Sequence, residues 1–501
     1  MEQAIVGILS IMNLPTLALI LLGVVAGIVI GAIPGLSVTM GVALFLPMTY
    51  KMDPVAGLSL IMGLYIGGTS GGLISAILLK IPGTASSIAT CWDGHPMASR
   101  GEAGKALGVG IVFSFIGGLF SYIVLMLVAP TVAKVALQFG PYEYFSLAAF
   151  SLTMIASLSS GSVLKGIISG LLGFCISFVG MAPITGFPRF TFGINQLKGG
   201  LNLLPALIGL FAVSQILVFA EGKHKEEDHK VSDYKIKGFG FTREDVKGQG
   251  INTLIASLIG TGIGILPGLG GSVCNIISYG VIKNRSKYPE KFGTGVVDGI
   301  IASETSNNAC TGGALVPLMT LGIPGDNTTA IILAGFMVHG ITPGPTLFQE
   351  QGVLVYGIFA ALIVANFMML FSEFVGMRFF VKLLSIPKNI LLPVIIAFCV
   401  VGAFGVNNRV FDVGAMLLFG VIGYLLKKFN FPESPILLGI ILGPILETNL
   451  LRGLMKSKGS FMPFLTEPIS AFFLLITVTV VIMTVRSELK KAKATKTAKA
   501  V

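Results

Sequence analysis

GIPGDNTT, residues 322–329, repeats at a distance the plan of KIPGTASS, residues 80–87. Each lies within an apolar stretch, and each sets Pro–Gly ahead of small hydroxyl or amide residues. Proline removes a backbone donor and clashes with the turn before it, while glycine turns where other residues are strained. In a bilayer every freed backbone group is costly unless it is satisfied. Such breaks survive only where they are buried in protein or line a wet cavity.

Further marks flank the two tetrads. GAIPGLSVTMG (31–41) resembles GILPGLGGSVC (264–274), and a Gly–Gly pair precedes each tetrad, at 71–72 and 312–313, after a one-residue slip. The order is xPGL, GG, IPG in both halves. Pro34 to Pro82 is 48 residues and Pro267 to Pro324 is 57, the second half carrying the extra basic loop KNRSKYPEK (283–291). Two homologous halves, roughly 15–215 and 250–430, follow from this, with extra helices after them. Matched helix breaks in two halves are the best sequence pointer to a transporter's binding site.

Composition says what surrounds the repeat. Hydrophobic residues make up 53% of the 501 and charged residues 11%, against about 25% charged in a soluble domain. Runs free of Asp, Glu, Lys and Arg cover 3–50, 54–79, 106–133, 144–164, 166–188, 199–220, 248–282, 351–372, 389–408 and 468–485. A spanning helix needs roughly 20 apolar residues. The fold expected is an all-α polytopic membrane protein of about 10–13 crossings, with two homologous halves containing broken or re-entrant helices.

The expected organisation is a first membrane repeat and following helices (1–220), a charged solvent-exposed linker (221–249), a second membrane repeat (250–430), C-terminal transmembrane helices (431–485) and a basic tail (486–501). The net charge of +11 does not point to nucleic acid, because six basic residues sit in the tail RSELKKAKATKTAKA. The positive-inside rule puts such a tail in the cytoplasm. No basic residue precedes Lys51, so the first apolar segment reads as an uncleaved helix rather than a signal peptide. The five cysteines are scattered, with no CxxC or Cys/His cluster, and read as small apolar fillers.

Ser, Thr, Asp and Asn are preferred helix N-caps, and a half-helix starting after a break points N–H groups and a positive dipole end into the cavity. That suits an anion. The candidate substrate residues are Gly35, Ser37, Lys80, Pro82, Gly83, Thr84, Ser86 and Ser87 in the first half. In the second half they are Gly268, Pro324, Gly325, Thr328 and Thr329. Lys80 could pair with a substrate carboxylate or snorkel to the interface.

SETSNNACTGG (303–313) is the most polar part of the second half's apolar region, and GGTSGG (67–72) is its counterpart. Buried polar groups in membranes mark ion or substrate paths, and amide, hydroxyl and carboxylate oxygens suit a small hard cation. The candidates for a coupling ion, Na+ or H+, are Thr69, Glu304, Asn307, Asn308, Thr311, Asp326 and Asn327. Glu304 could instead carry a proton, or lie at a membrane face in water. Trp92, Asp93, Gly94, His95 and Pro96 read as a loop at a membrane surface, and His339 as structural.

Enzyme motifs fail. GTSGG (68–72) fits G-x-S-x-G but lacks the strand-to-helix elbow and a base. GEAGKALG (101–108) is not a P-loop, so energy comes from an ion gradient or another subunit. No HExxH occurs; no cofactor is expected, and no metal beyond possible Na+.

GAIPGLS, KIPGTASSIAT, DGHPMASRGEAGKALG, FGTGVVDGIIASETSNNACTGGALVPLMTLGIPGD and HGITPGPTLF together resemble the large membrane subunit of tripartite tricarboxylate transporters, the TctA family, from about residue 15 to about 430. The resemblance implies import of small organic anions, often di- or tricarboxylates such as citrate, driven by a sodium or proton gradient. It also implies a small four-helix membrane subunit and a periplasmic solute-binding protein as partners, in a bacterial inner membrane. Where the family often has a neutral amide before the first IPG, this chain has Lys80, whose ammonium could replace a cation. The alternatives are an organic-anion channel or exporter working without a binding protein, and an intramembrane enzyme using Ser70.

Overall fold

In lipid a backbone that satisfies its own polar groups is a helix or a closed barrel, and here the apolar runs fold as helices. The computed structural model describes residues 2–158, 163–221, 240–383 and 388–499. Most of the expected charged linker (222–239) and the last two residues of the basic tail lie outside the described residues.

The chain begins with α1 (Glu2–Ile11), α2 (Leu14–Ala32), α3 (Val38–Phe45), α4 (Pro54–Leu79), α5 (Thr90–Met97) and α6 (Ala103–Ala136). Then come α7 (Pro141–Leu158), α8 (Val163–Ser177), a short antiparallel pair β1 (Gly180–Met181) and β2 (Pro188–Arg189), α9 (Leu203–Leu207) and α10 (Ser214–Ala220). The second half repeats the plan with α11 (Gly250–Ile265), α12 (Gly270–Arg285), α13 (Val297–Leu321) and α14 (Asn327–Val338), then α15 (Leu347–Glu350) and α16 (Gly352–Leu383). The rest is α17 (Lys388–Asn407), α18 (Val410–Lys428), α19 (Glu433–Lys456), α20 (Met462–Thr466) and α21 (Pro468–Lys499).

The protein is all-α and polytopic. Among the described residues eight helical runs are long and apolar enough to cross a membrane, and six shorter apolar helices accompany them. Fewer helices qualify than the expected crossings because the breaks shorten some and polarity removes another. α11 stops just before Pro267, and α13 carries SETSNNACTGG at its centre.

The chain forms two compact units, Met1–Lys134 with Phe211–Val413, and Val135–Leu210 with Gly414–Val501. In the second, α7, α8, α19 and α21 line an apolar cavity of about 370 Å³ that includes Leu152, Phe174, Leu446 and Val485. Arg189 on β2 holds Glu447 of α19 through two hydrogen bonds of 2.6 and 3.0 Å.

The first unit holds both sets of breaks. α2 and α4 pack backbone to backbone through reciprocal glycines. A Cβ at Gly23, Gly27 or Gly31 would come within 2.4 Å of Leu60 O, Leu64 O or Gly68 O. A Cβ at Gly63, Gly67 or Gly71 would meet Ile20 O, Val24 O or Ile28 O within 2.6 Å. Small residues that let helices approach are what membrane helix pairing uses. α11 and α13 repeat the contact. Gly260 faces Ser306 O, Gly264 faces Cys310 O and Gly313 faces Thr261 O.

These contacts fix the equivalence of the halves. Leu64 matches Ser306, Gly68 matches Cys310 and Gly71 matches Gly313, each pair 242 residues apart, as are Gly83 and Gly325. The one-residue slip read from the Gly–Gly pairs therefore disappears, because Gly72 corresponds to Ala314. One glycine of each pair sits in the helix seam, and the chance neighbour had suggested a shift.

Trp92–Pro96 is a helix, α5, rather than a loop. Asp93 is fully buried: its Oδ1 accepts from the N–H groups of Gly293, Gly295 and Val296 at 2.7–2.9 Å, and its Oδ2 accepts from Tyr279 at 2.7 Å. A carboxylate that collects several backbone donors anchors a segment firmly, and this one ties α5 to the loop before α13.

Candidate functional site

Each break ends one helix and starts another at the same place in the two halves. α4 ends at Lys80 with φ +58°, and α13 ends at Gly322 with φ +70°. Both are left-handed C-caps, a position glycine fills without strain. Lys80 is exposed there.

Gly83 and Gly325 lie against the ends of α2 and α11. A Cβ at Gly83 would be 2.2 Å from Gly31 O and 2.9 Å from Gly72 Cα; at Gly325 it would be 2.7 Å from Gly264 O and 2.6 Å from Ala314 Cα. Only glycine fits such an approach. Gly268 N–H donates to Gly325 O at 2.7 Å, joining the two breaks of the second half directly. Pro324 is buried, Pro82 half-buried. Gly35, at φ +90°, lies exposed beside the Phe219 ring.

The residues after each break close matching capping boxes. Thr84 N–H donates to Ser87 Oγ at 3.3 Å, and Ser87 Oγ donates back to Thr84 O at 2.9 Å. Asp326 N–H donates to Thr329 Oγ1 at 2.8 Å, Thr329 Oγ1 donates to Asp326 O at 2.9 Å, and Thr329 N–H donates to Asp326 Oδ1 at 2.7 Å. Ser37 caps α3 by accepting from Met40 N–H at 3.1 Å. α12 is different: it starts at Gly270 after Leu269 with no side-chain cap.

The starts converge crosswise between the halves. Thr39, in the first turn of α3, shares a 2.9 Å hydroxyl contact with Thr328 in the first turn of α14. A Cβ at Gly271, in the first turn of α12, would lie 2.7 Å from Ser86 Cβ and 2.8 Å from Asn307 Oδ1. Tyr65 OH donates to Asp326 Oδ2 at 2.8 Å, and Asn307 Nδ2 donates to Thr69 O at 3.4 Å. Tyr65 and Asn307 occupy equivalent places, 242 residues apart. The sites of Gly35, Lys80 and Asn327 carry no such cross-contact among the described residues.

Asn307 is 1% exposed, and its Oδ1 has no hydrogen-bond partner. An unpaired buried acceptor in a uniquely folded core marks a strained or functional place. Beside it is the uncapped start of α12, which offers free donors. The set therefore provides donors for a carboxylate oxygen and an acceptor for a hydroxyl or a protonated acid. Helix starts carry about half a positive charge each, so α3, α12 and α14 together supply roughly 1.5, of which the Asp326 carboxylate removes about one.

A second polar column runs along α13 towards α6. Glu304 is fully buried, not at a membrane face, and its oxygens accept from the hydroxyls of Thr90 and, at 3.1 Å, Ser114. Asn308 donates to Glu304 O at 3.1 Å, and Thr311 shares a 2.9 Å contact with Tyr122. Glu373 of α16 is also fully buried and accepts from Ser70 at 2.9 Å. Thr39, Tyr65, Gly271 and Glu373 were not singled out by sequence. Thr39, two residues after Ser37 in the stretch following the first break, gave a signal; Tyr65 and Glu373 gave none, since each is one polar group in an apolar run.

The Tripartite tricarboxylate transporter TctA family matches residues 17–438. A protein from Agrobacterium vitis described as an uncharacterised 52.8 kDa protein in the TAR-I ttuC' 3' region is 36% identical over 454 residues, covering 91% of this chain and 90% of that protein. A second, from the TAR-II ttuC' 3' region of the same organism, is 39% identical over 215 residues, covering 43% of this chain and 89% of that protein. No solved structure matches. The chain belongs to the TctA family.

Proposed function

We propose that this TctA-family chain, the large subunit of a tripartite tricarboxylate transporter, imports small di- or tricarboxylates as a secondary transporter. A periplasmic solute-binding protein delivers the anion, a small four-helix membrane subunit completes the complex, and an ion gradient supplies the energy. The complex sits in a bacterial inner membrane with the C-terminal tail in the cytoplasm, as the basic tail argues.

One observation carries this reading: helix starts from both halves meet at Gly271, Ser86 and Asn307, and at Thr39 and Thr328. The free N–H groups of α12 take a carboxylate oxygen, with the hydroxyls of Ser86 and Thr328 beside them. Thr84, Ser87 and Thr329 shape the turns that aim those groups. Lys80, exposed two residues before Pro82, meets the incoming anion by charge. The coupling ion offsets the negative charge the anion brings past Asp326. Breaks paired about a shared site are the architecture of alternating access.

The test is uptake of labelled mono-, di- and tricarboxylates by vesicles holding the complete complex, with sodium and proton gradients varied separately. Accumulation above equilibrium that requires both a gradient and the binding protein supports the reading. Flux that equilibrates without either identifies a channel or exporter and overturns it.

A further inference from the structure

Glu373 lies 21 residues into α16 and is fully buried. Its Oε2 accepts from Ser70 Oγ at 2.9 Å, and its Oε1 has no hydrogen-bond partner. No lysine or arginine pairs with it among the described residues. A buried carboxylate without a counter-charge is so costly that such groups neutralise by binding a proton.

Among the described residues no hydrogen bond or ion pair from the neighbouring elements supplies Glu373 with a counter-charge. α4 presents Ser70, and its one ionisable residue, Tyr65, is held by Asp326. α2 has no ionisable residue, and α1 carries only Glu2. Gln3 beside it lies against Gly352, at the opposite end of α16 and about 30 Å along the axis. α15 carries Glu350, beyond that same end. α6 carries Tyr122, occupied with Thr311, Lys105 near its start, bonded to Asp245, and Lys134 in its last turn. α13 presents Glu304, another buried carboxyl, whose oxygens are held by the hydroxyls of Thr90 and Ser114. Arg378 and Lys382 lie farther along α16.

Glu304 differs from Glu373 in having both oxygens engaged by hydroxyls. The open oxygen is on Glu373. A hard metal cation takes a cage of several oxygen ligands, whereas the hydrogen-bonding group found on this carboxyl is a single hydroxyl. A proton needs no cage. Ser70 follows Thr69, whose carbonyl takes the Asn307 amide, so the residue that holds the carboxyl adjoins in the chain the one that holds Asn307.

We infer that Glu373 is the group that binds and releases the coupling ion, that this ion is a proton, and that Ser70 positions the carboxyl. The inference rests on the transport reading above. Protonation from the outer side converts Glu373 carboxylate to the neutral acid; release to the inner side restores the carboxylate.

Two measurements test it. In vesicles holding the complete complex, accumulation of a labelled tricarboxylate is expected to follow an inward proton gradient and to ignore sodium. E373Q keeps the shape and the Ser70 contact. It is expected to lose gradient-driven accumulation while exchanging labelled for unlabelled substrate across the membrane at close to the parental rate. Accumulation by E373Q that still responds to the proton gradient, or parental accumulation that follows sodium alone, overturns the assignment.

The second measurement is infrared titration of the purified chain without substrate. A protonated-carboxyl band should titrate in the parent, vanish in E373Q and shift its midpoint in S70A. If that holds while no carboxylate is transported, the proton site stands and the transport reading fails. A band unchanged in E373Q rejects the site whatever the transport result.

Discussion

At Gly83 a single methyl group would strike the carbonyl of Gly31 at 2.2 Å, and that carbonyl is fixed in the backbone. Overpacking of this kind costs about 1–3 kcal/mol. G83A is therefore expected to lower the thermal unfolding midpoint, and G325A to do so in step. G262A on α11, where a Cβ would meet nothing within 4 Å, should not. Equal midpoints for all three would contradict the packing. Lys80 gives a test with two readouts. It holds φ +58°, where its equivalent is Gly322, and a side chain in that region costs roughly 1 kcal/mol. K80G should leave stability unchanged or slightly raised while raising the KM for the carboxylate with kcat preserved, the mark of lost ground-state binding. A stability loss with unaltered KM would remove Lys80 from the substrate path. The breaks themselves were legible in the sequence, because proline and glycine act through local sterics. The partner of Glu373 was not. Ser70 lies 303 residues away in the chain, and no local pattern carries a contact of that span.

Helix starts are where this protein spends its polar residues. α14 is capped by Asp326, and the equivalent turn by the neutral Thr84. Loss of such a cap costs about 1 kcal/mol. D326A should destabilise the protein by about that amount, and D326N, which keeps an acceptor for Thr329 N–H, by only a few tenths; chemical unfolding of the two variants against the parent measures the difference. Equal losses would mean that charge, not capping, is what Asp326 contributes. The capping residues could be read from sequence because N-caps follow a local preference. What each start faces could not. The crossing of α3 with α14, and of α12 with the Ala85–Ser87 turn, is set by how two glycine-seamed pairs come together. The same seams settle the register that the Gly–Gly pairs had shifted by one. Asp93 was misplaced for a related reason: its polar neighbours look like a surface loop, and only the distant N–H groups of 293–296 turn it into a buried anchor.

Over the whole molecule, composition alone decided the environment, since a chain with 11% charged residues cannot clothe a water-facing surface. Its few charges outside the membrane segments can therefore be followed one by one. Lys105 bonds Asp245 and holds its carboxyl down at about 2. A carboxyl lowered in this way stabilises the fold above its ordinary value near 4 and loses that contribution as pH falls towards 2. Amide protection factors around 240–249, which divide out the intrinsic pH dependence of exchange, should fall between about pH 4 and pH 2 in the parent. In D245N protection should be low throughout; protection that stays level with pH in the parent and matches D245N would dismiss the tether. The central claim is that the two halves bring their helix starts together around one carboxylate. G271V tests it most directly, since its side chain would grow into Ser86 and Asn307 from inside the site. Uptake of labelled tricarboxylate by vesicles holding the complete complex should fall to background in G271V. Uptake at the parental rate would contradict the account.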